Sequence, residues 1–227
     1  MRLAAPGRPH LTYCTNIHPG ESWEEVRANL ERYVLAVRTR VAPDREFGIG
    51  LRLSARAAEA LAEPRELDAF REFLDRHALY VFTLNGFPHG VFHGVRVKEA
   101  VYLPDWLDEA RLAYTDRLAT LLAALLPAEP DLEGSVSTVP GAFRARVRGE
   151  ADVARMADHM LRHVATLHRI REDTGKTIAL ALEPEPCCYL ETVGETVAFF
   201  ERWLFSRPAV LRFADLAGLD RTAAEPA

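Results

Sequence analysis

The sequence predicts a single α/β domain built from parallel β/α units in the manner of a (β/α) barrel. Strand-like and helix-like segments alternate along all 227 residues, and no linker or change in composition divides them. The helices between them are long enough for the crossover connections that parallel strands require. Polar residues follow the carboxyl ends of several strands, which is typical of a barrel. We predict one domain over residues 1–227, with residues 1–10 and 220–227 flexible.

The first unit begins with a predicted strand over residues 11–17. Ser22 and Glu25 then form a capping box, in which each side chain satisfies an exposed N–H group of the first helical turn. A helix therefore begins here and extends to about residue 41. The second predicted strand covers residues 47–53.

The next segment begins at Ser54, which caps a second helical region. The third predicted strand, 79–84, is rich in the aromatic and β-branched residues that favour a pleated, buried surface. The loop over 85–104 is long, and loops of this length in compact domains are usually functional. A leucine-rich helix over 105–126 completes the unit.

The remaining chain contains a shorter predicted strand at 132–139 and a helix over 150–173, which Gly175 ends. The fifth predicted strand is the apolar run 178–182. Two helices follow, one from a capping box of Thr192 and Glu195 and one over 210–219.

Two architectures are compatible with five such units. A doubly wound sheet normally carries a glycine-rich phosphate loop after its first strand, and the segment NIHPGESW contains neither usual pattern. In a barrel, polar residues gather at the carboxyl edge, as His18, Asn85, Thr138 and Glu183 would. We therefore predict about five of the eight βα units of a TIM barrel. Its first and fifth strands would be open edges through which the chain associates, including as a homo-oligomer.

An acidic pair directly follows the fifth predicted strand. Glu183 and Glu185 lie two residues apart, so both carboxylates lie on one side of an extended chain. Pro184 and Pro186 keep each preceding residue extended. Glu183 is either an oxygen ligand of a hard cation or a partner in a salt bridge. Glu185 is a second ligand, a general base or a loop carboxylate.

Other candidate contacts come from histidine and asparagine. His18 either lines the mouth of the barrel or shapes the turn after the first strand. His89 and His93 either contact a substrate or pack within an ordered loop. Asn85 either binds a sugar hydroxyl or forms a turn with Gly86.

Two other pairs are given structural roles. His159 and His163 share a helix face with charged residues, so we expect them to be exposed to solvent. Cys187 and Cys188 have no dedicated base nearby in sequence, so we expect them to be small buried residues.

The composition excludes several classes of protein. The 28 basic and 33 acidic residues give a net charge of −5, and the basic residues are scattered, which argues against a nucleic-acid surface. No apolar run approaches a membrane span or a signal peptide. The three cysteines include no CxxC motif, so neither a disulfide framework nor a zinc ribbon is indicated. We expect a cytoplasmic protein whose partner is a small polar metabolite.

Several segments together resemble one known family, the EboE or metabolite-traffic branch of the xylose isomerase-like TIM barrels. The resemblance covers nearly the whole chain and is carried by LTYCTNIHPGESW, FGIGLRLS, FTLNGFPHGVFHG with VKEAVYLPDW, GSVSTVPGAF and LALEPEPCCYLET. The superfamily also includes sugar-phosphate isomerases and epimerases. Because strands beyond the fifth are not recognised, the resemblance implies a truncated barrel after the fifth βα unit.

The resemblance also implies site residues and a function. Glu183 matches the position of a glutamate that binds a divalent metal, Mg²⁺, Mn²⁺ or Zn²⁺, with further ligands from later strands. His18, Asn85, His89 and His93 would contact the substrate, and Glu185 would move a proton. We expect an isomerase or epimerase acting on a sugar or sugar phosphate, inactive as this chain alone. The alternative is a non-catalytic metabolite-binding or traffic protein; a related nuclease is disfavoured by the acidic charge balance.

Overall fold

The computed structural model describes residues 1–3, 9–94, 96–129 and 131–220. These residues form one five-stranded sheet in which all paired strands are parallel. The strands are β1 (Thr12–Cys14), β2 (Phe47–Arg52), β3 (Leu79–Asn85), β4 (Gly134–Thr138) and β5 (Ile178–Leu182). The flexibility predicted for residues 1–10 and 220–227 concerns residues 4–8 and 221–227, among others, which lie outside these ranges.

The strand order confirms the predicted fold class. Each strand pairs with the next one in sequence, so the order is β1-β2-β3-β4-β5. A doubly wound sheet would reverse its order near the middle, whereas a (β/α) barrel adds its strands in sequence. Within the described ranges β1 pairs only with β2 and β5 only with β4, so both are edges of this partial barrel.

The predicted strand bounds needed correction at both β1 and β4. β1 ends at Cys14 because the chain turns into a 3₁₀ segment, Thr15–Ile17, where a longer strand was expected. β4 begins at Gly134, after a turn in which the N–H of Leu132 donates to the carbonyl of Glu129. Turn geometry of this kind shortens a strand without changing its hydrophobic pattern.

Helices cover the outer face of the sheet. In chain order they are α1 (Trp23–Asn29), α2 (Leu35–Val41), α3 (Ala55–Leu61), α4 (Pro64–Arg76), α5 (Glu109–Leu125), α6 (Glu150–Thr174), α7 (Val193–Phe199) and α8 (Arg207–Ala217). The π segment Leu30–Val34 joins α1 to α2, and a second one, Phe200–Leu204, continues α7. Helix α5 begins four residues later than predicted.

The predicted helix caps are present. Both capping boxes form, with Ser22 and Glu25 at α1 and with Thr192 and Glu195 at α7. Gly175 ends α6 in the left-handed conformation with φ of 70°, which glycine adopts without strain. None of the helices in the described ranges combines the length and apolar character needed to cross a bilayer.

The two faces of the sheet differ in character. The outer face packs against the helices through fully buried aliphatic side chains, namely Ile49, Leu51, Val81, Leu84 and Val136. The inner face carries mostly small residues, with the rings of Tyr80 and Phe82 against Gly48. Thr83 Oγ1 lies 2.8 Å from Ser135 Oγ across the β3–β4 pair. At Gly50 an added Cβ would lie 2.9 Å from Cys14 Sγ, so the inner face is tight at this point. On β5 the inner face, Ala179 and Ala181, is exposed.

The expectation that His159 and His163 face solvent was wrong. Helix α6 packs against both α5 and α8, so its polar face is covered as well as its apolar stripe. His163 is fully buried, with Nδ1 2.6 Å from Asp116 Oδ1, and His159 Nδ1 lies 2.9 Å from the carbonyl of Trp106. A helical wheel shows one amphipathic face, but it does not show a second helix packed on the other side.

The paired cysteines have different environments. Cys188 is buried, as expected, whereas Cys187 is exposed. Cys187 has a positive φ of 67°, and its carbonyl accepts a hydrogen bond from the N–H of Arg144. The turn at this point directs the two adjacent side chains to different environments.

Candidate functional site

The predicted site residues all follow carboxyl ends of parallel strands, so they belong to one edge of the sheet. Asn85 is the last residue of β3, and Glu183 comes directly after β5. His18 follows the 3₁₀ segment after β1, and His89 and His93 lie in the loop after β3. We call this set of chain ends and loops the carboxyl edge.

Glu183 continues the ladder between β4 and β5. Its backbone N–H donates to the carbonyl of Thr138 at 3.1 Å, and its side chain is half-buried. By the alternation of a strand, the side chain lies on the same inner face as Ala179 and Ala181. Among the described residues Glu183 forms no ion pair, so the salt-bridge alternative has no partner here.

The residues near Glu183 do not by themselves complete a metal site. Over the described ranges, no group of three or more His, Cys, Asp or Glu side chains is arranged to hold a metal ion. Hard cations normally take several oxygen ligands. The metal-binding role of Glu183 stays a prediction.

Glu185 has a defined partner that the sequence analysis did not identify. Tyr102 Oη donates to Glu185 Oε2 at 2.9 Å, although the two residues are 83 positions apart. Burial raises the pKa of Tyr102 well above its usual range, and hydrogen bonds to Cys188 and Glu185 add to the shift. The phenol therefore remains a neutral donor, and it holds the carboxylate in one orientation.

The loop around Glu185 is ordered by backbone contacts. The N–H of Glu185 donates to the carbonyl of Leu190 at 3.2 Å, and the N–H of Cys188 donates back to the carbonyl of Glu185 at 3.2 Å. The ring of Tyr102 is stacked on Phe143, with centroids 5.9 Å apart. The segment from Glu185 to Leu190 is therefore an ordered turn held by backbone hydrogen bonds.

His18 lies at the carboxyl edge, beside the aromatic rings of Tyr13 and Tyr33. Its Nε2 is 2.8 Å from Tyr13 Oη, and its ring stacks on Tyr33 with centroids 4.1 Å apart. The pKa of His18 is lowered by burial and then by the charge of His93, which belongs to the loop after β3. His93 Nδ1 is buried without a hydrogen-bond partner among the described residues.

His89 and Asn85 are held by their own loop. The ring of His89 packs edge-on against Tyr114 at 4.9 Å, and its pKa is lowered by burial and then by the charge of Arg111. Asn85 Oδ1 accepts a hydrogen bond from the N–H of Phe87 at 3.4 Å. This bond spans Gly86, as the turn alternative requires, and contact of Asn85 with a sugar hydroxyl stays a prediction.

Two buried arginines at this edge were missed by the sequence analysis. Arg52 ends β2 and forms a bidentate pair with Glu21, at 2.8 and 3.1 Å. Arg111 donates to the carbonyls of Pro104 at 2.7 Å, Gly86 at 2.7 Å and Phe87 at 3.1 Å, and burial lowers its pKa to about 10. One signal was present for Arg52, since it is the single charge within the apolar run FGIGLRLS.

A cavity of about 750 Å³ lies at the opposite, amino-terminal edge of the sheet. Its lining includes Glu129, Asp131 and Glu133 before β4 and Lys176 before β5. None of the predicted site residues lines it. The carboxyl edge and this cavity are therefore two separate places on the molecule.

Comparison with known proteins gives similar solved structures only. No family model matches the chain, and no curated protein matches it. A structure of IolI protein with a bound zinc atom is similar over 85% of this chain and 58% of the IolI chain, with 16% sequence identity and a TM-score of 0.47. The structure of the probable 3-DHS dehydratase AsbF from Bacillus anthracis is similar over 95% of this chain and 68% of the AsbF chain, with 12% sequence identity and a TM-score of 0.49.

A xylose isomerase domain protein from Alicyclobacillus acidocaldarius subsp. acidocaldarius is a further similar structure. It covers 93% of this chain and 61% of its own, at 15% identity and a TM-score of 0.45. This chain thus spans 58% of the length of the IolI structure. Because these similarities are weak, the barrel assignment rests on the sequential order of the parallel strands.

Proposed function

We propose that the carboxyl edge binds a small polyhydroxylated or phosphorylated metabolite, as part of a sugar or sugar-phosphate isomerase or epimerase. The main support is that one edge carries Glu183, the Tyr102–Glu185 pair, and His18 and His93 in the loops after β1 and β3. Ligand pockets use a small number of placed polar groups of this kind on a largely preformed surface. We further propose membership of the EboE branch of the xylose isomerase-like barrels.

The groups at this edge suit hydroxyl recognition and proton transfer. Lowered pKa values keep His18 and His89 neutral at pH 7, and a neutral imidazole both donates and accepts hydrogen bonds. Tyr102 fixes the carboxylate of Glu185. In an isomerase or epimerase, a carboxylate held in this way accepts a proton from the carbon next to a carbonyl group.

A divalent cation, Mg²⁺, Mn²⁺ or Zn²⁺, is proposed to take Glu183 as one carboxylate ligand. Such an ion, when bound, polarises substrate oxygens. The described residues hold no group of three or more ligands, so they do not fit a complete site and no reaction step is assigned to a metal.

Paramagnetic Mn²⁺ is a direct probe of Glu183. We expect Mn²⁺ to broaden the backbone amide NMR signals at the end of β5, and Glu183→Gln to abolish this broadening. Glu172→Gln is the matched control, because Glu172 is an exposed carboxylate on α6. Equal broadening in wild type and Glu183→Gln would contradict a metal-ligand role for Glu183.

A non-catalytic metabolite-binding or traffic protein is the second candidate. It is favoured by the fact that the polar groups already have internal partners, since Glu185 is bonded by Tyr102 and His18 by Tyr13. Such groups can recognise hydroxyls without transferring a proton. Binding of D-ribulose 5-phosphate, measured by calorimetry, without deuterium exchange at its carbon-bound hydrogens would favour this candidate over the isomerase.

A further inference from the structure

One guanidinium group joins two of the loops that form the carboxyl edge. Arg52 is buried at the end of β2, with 2% of its side chain exposed. Its Nη1 donates to the carbonyl of Gly20 at 2.6 Å and to Glu21 Oε1 at 2.8 Å. Its Nη2 donates to Glu21 Oε2 at 3.1 Å and to the carbonyl of Gly90 at 2.7 Å. Gly20 and Glu21 follow β1, whereas Gly90 follows β3.

Further contacts hold the same two loops against the end of β2. Phe92 lies under the guanidinium, with its ring centroid 4.8 Å from Arg52 Cζ. Ser54 Oγ donates to the carbonyl of Glu21 at 2.5 Å, and the N–H of Ala55 donates to the carbonyl of His89 at 2.8 Å. The network ends next to His89 and His93 on one side and next to His18 on the other.

Stability alone is a weak reason for this arrangement. A buried ion pair loses much hydration, and its replacement by apolar side chains is often neutral or stabilising. The Arg52 guanidinium uses a planar fork to meet one carboxylate and two carbonyls from different loops, which fixes direction as well as distance.

We propose that Arg52 is a positioning residue that holds the loop carrying His18 in register with the loop carrying His89 and His93. Its meaning for ligand binding rests on the proposed function of the carboxyl edge. The contacts of Arg52 with Gly20, Glu21 and Gly90 join the two loops whether or not a ligand binds there.

Arg52→Met tests the inference, because it keeps an unbranched side chain and removes the guanidinium. The readout is the pH titration of the His18 imidazole by NMR. His18 contacts Tyr13 and Tyr33, and its pKa is lowered by burial and then by the charge of His93 in the loop after β3. Once the loops separate, we expect the pKa of His18 to rise towards its usual value of 6.5.

Two controls accompany this variant. Arg52→Lys keeps a cation that can reach part of the carbonyl set, so we expect it to restore part of the wild-type titration. The resonances of His163, buried between α5 and α6, should be the same in all forms and so show an intact fold.

If Arg52→Met does not fold, Glu21→Gln tests the same inference. It weakens the bidentate pair between Arg52 and Glu21 and leaves Arg52 bonded to the carbonyls of Gly20 and Gly90. We expect the same direction of change with a smaller size. An unaltered His18 titration in folded Arg52→Met, or in Glu21→Gln where the first variant is unfolded, overturns the inference.

The proposed function fails separately. If D-ribulose 5-phosphate leaves the wild-type carboxyl edge unperturbed while Arg52→Met still shifts His18, the binding proposal is wrong and the positioning role stands. If the ligand perturbs that edge and Arg52→Met leaves His18 unaltered, the positioning role is wrong and the binding proposal stands.

Discussion

Single buried polar residues determine the geometry of the carboxyl edge. Arg111 is fully buried, and its guanidinium donates to the carbonyl oxygens of Pro104, Gly86 and Phe87. It thereby fixes the start of the long loop after β3 against the start of α5. A buried charge is costly unless its donors are satisfied, so this loop cannot move freely without exposing or losing these bonds.

The pH dependence of folding gives a prediction for His89. Its folded pKa lies below its usual value of 6.5, so the unfolded chain binds the proton more tightly. The contribution of neutral His89 to the free energy of unfolding is therefore fully present above about pH 6.5. It is lost as the pH falls towards and through the folded pKa. We expect His89→Gln to reduce this loss, by at most about 1.4 kcal/mol per pH unit.

Urea unfolding of both proteins at a series of pH values measures this effect. Loss of the edge-on contact with Tyr114 lowers stability at every pH, so it adds a constant offset. The charge effect appears only as a change of slope. Identical slopes in wild type and His89→Gln would contradict a buried, neutral His89.

The sequence was informative about positions and poor about partners. Glu183 and Asn85 were placed at strand ends from local pattern, and the structure has them there. His18 was expected directly after the first strand, but a 3₁₀ segment, Thr15–Ile17, separates it from the end of β1. The bond from Tyr102 to Glu185 spans 83 positions, and the pair of Arg52 with Glu21 spans 31. Such contacts depend on how loops fold over the edge, which no local spacing encodes.

At the level of elements, β5 is the strand most exposed to pairing with another chain. Its inner-face residues Ala179 and Ala181 are exposed, and its outer face borders an apolar groove of about 340 Å³. That groove is lined by α6, the π segment after α7, and α8, and includes Leu180, Phe200 and Phe213. An exposed edge with apolar surroundings favours pairing with another chain.

We therefore expect the chain alone to associate through β5. Analytical ultracentrifugation should show an association that depends on concentration and that Ala181→Lys weakens, because a lysine on an edge strand opposes pairing. Ala151→Lys is the matched control, since it adds the same charge at an exposed site on α6. A monodisperse wild-type monomer that melts cooperatively would contradict this expectation.

Element boundaries also show what local sequence encodes. The capping boxes at Ser22 and Thr192 were correct because every atom involved lies within one helical turn. The burial of His159 and His163 was missed because it depends on Trp106 and α5, which are distant in sequence and pack against this face of α6. Local signals therefore located the helices, and tertiary packing decided which faces were buried.

At the scale of the whole molecule, two opposite edges of the sheet are candidates for the ligand site. The carboxyl edge has the ordered polar groups, whereas the amino-terminal edge has a cavity of about 750 Å³ lined by Glu129, Asp131 and Glu133. In barrels of parallel strands the site is normally at the carboxyl edge, because the connecting loops there vary without disturbing the core.

The most direct measurement is to map the binding of D-ribulose 5-phosphate onto the backbone amide signals. The proposed function predicts saturable shifts at His18, His93 and Glu183, with the signals of Glu129 and Lys176 unchanged. Saturable shifts confined to residues 129–133 and 174–177 would place the ligand in the amino-edge cavity and contradict the central claim. So would the absence of saturable shifts at the carboxyl edge.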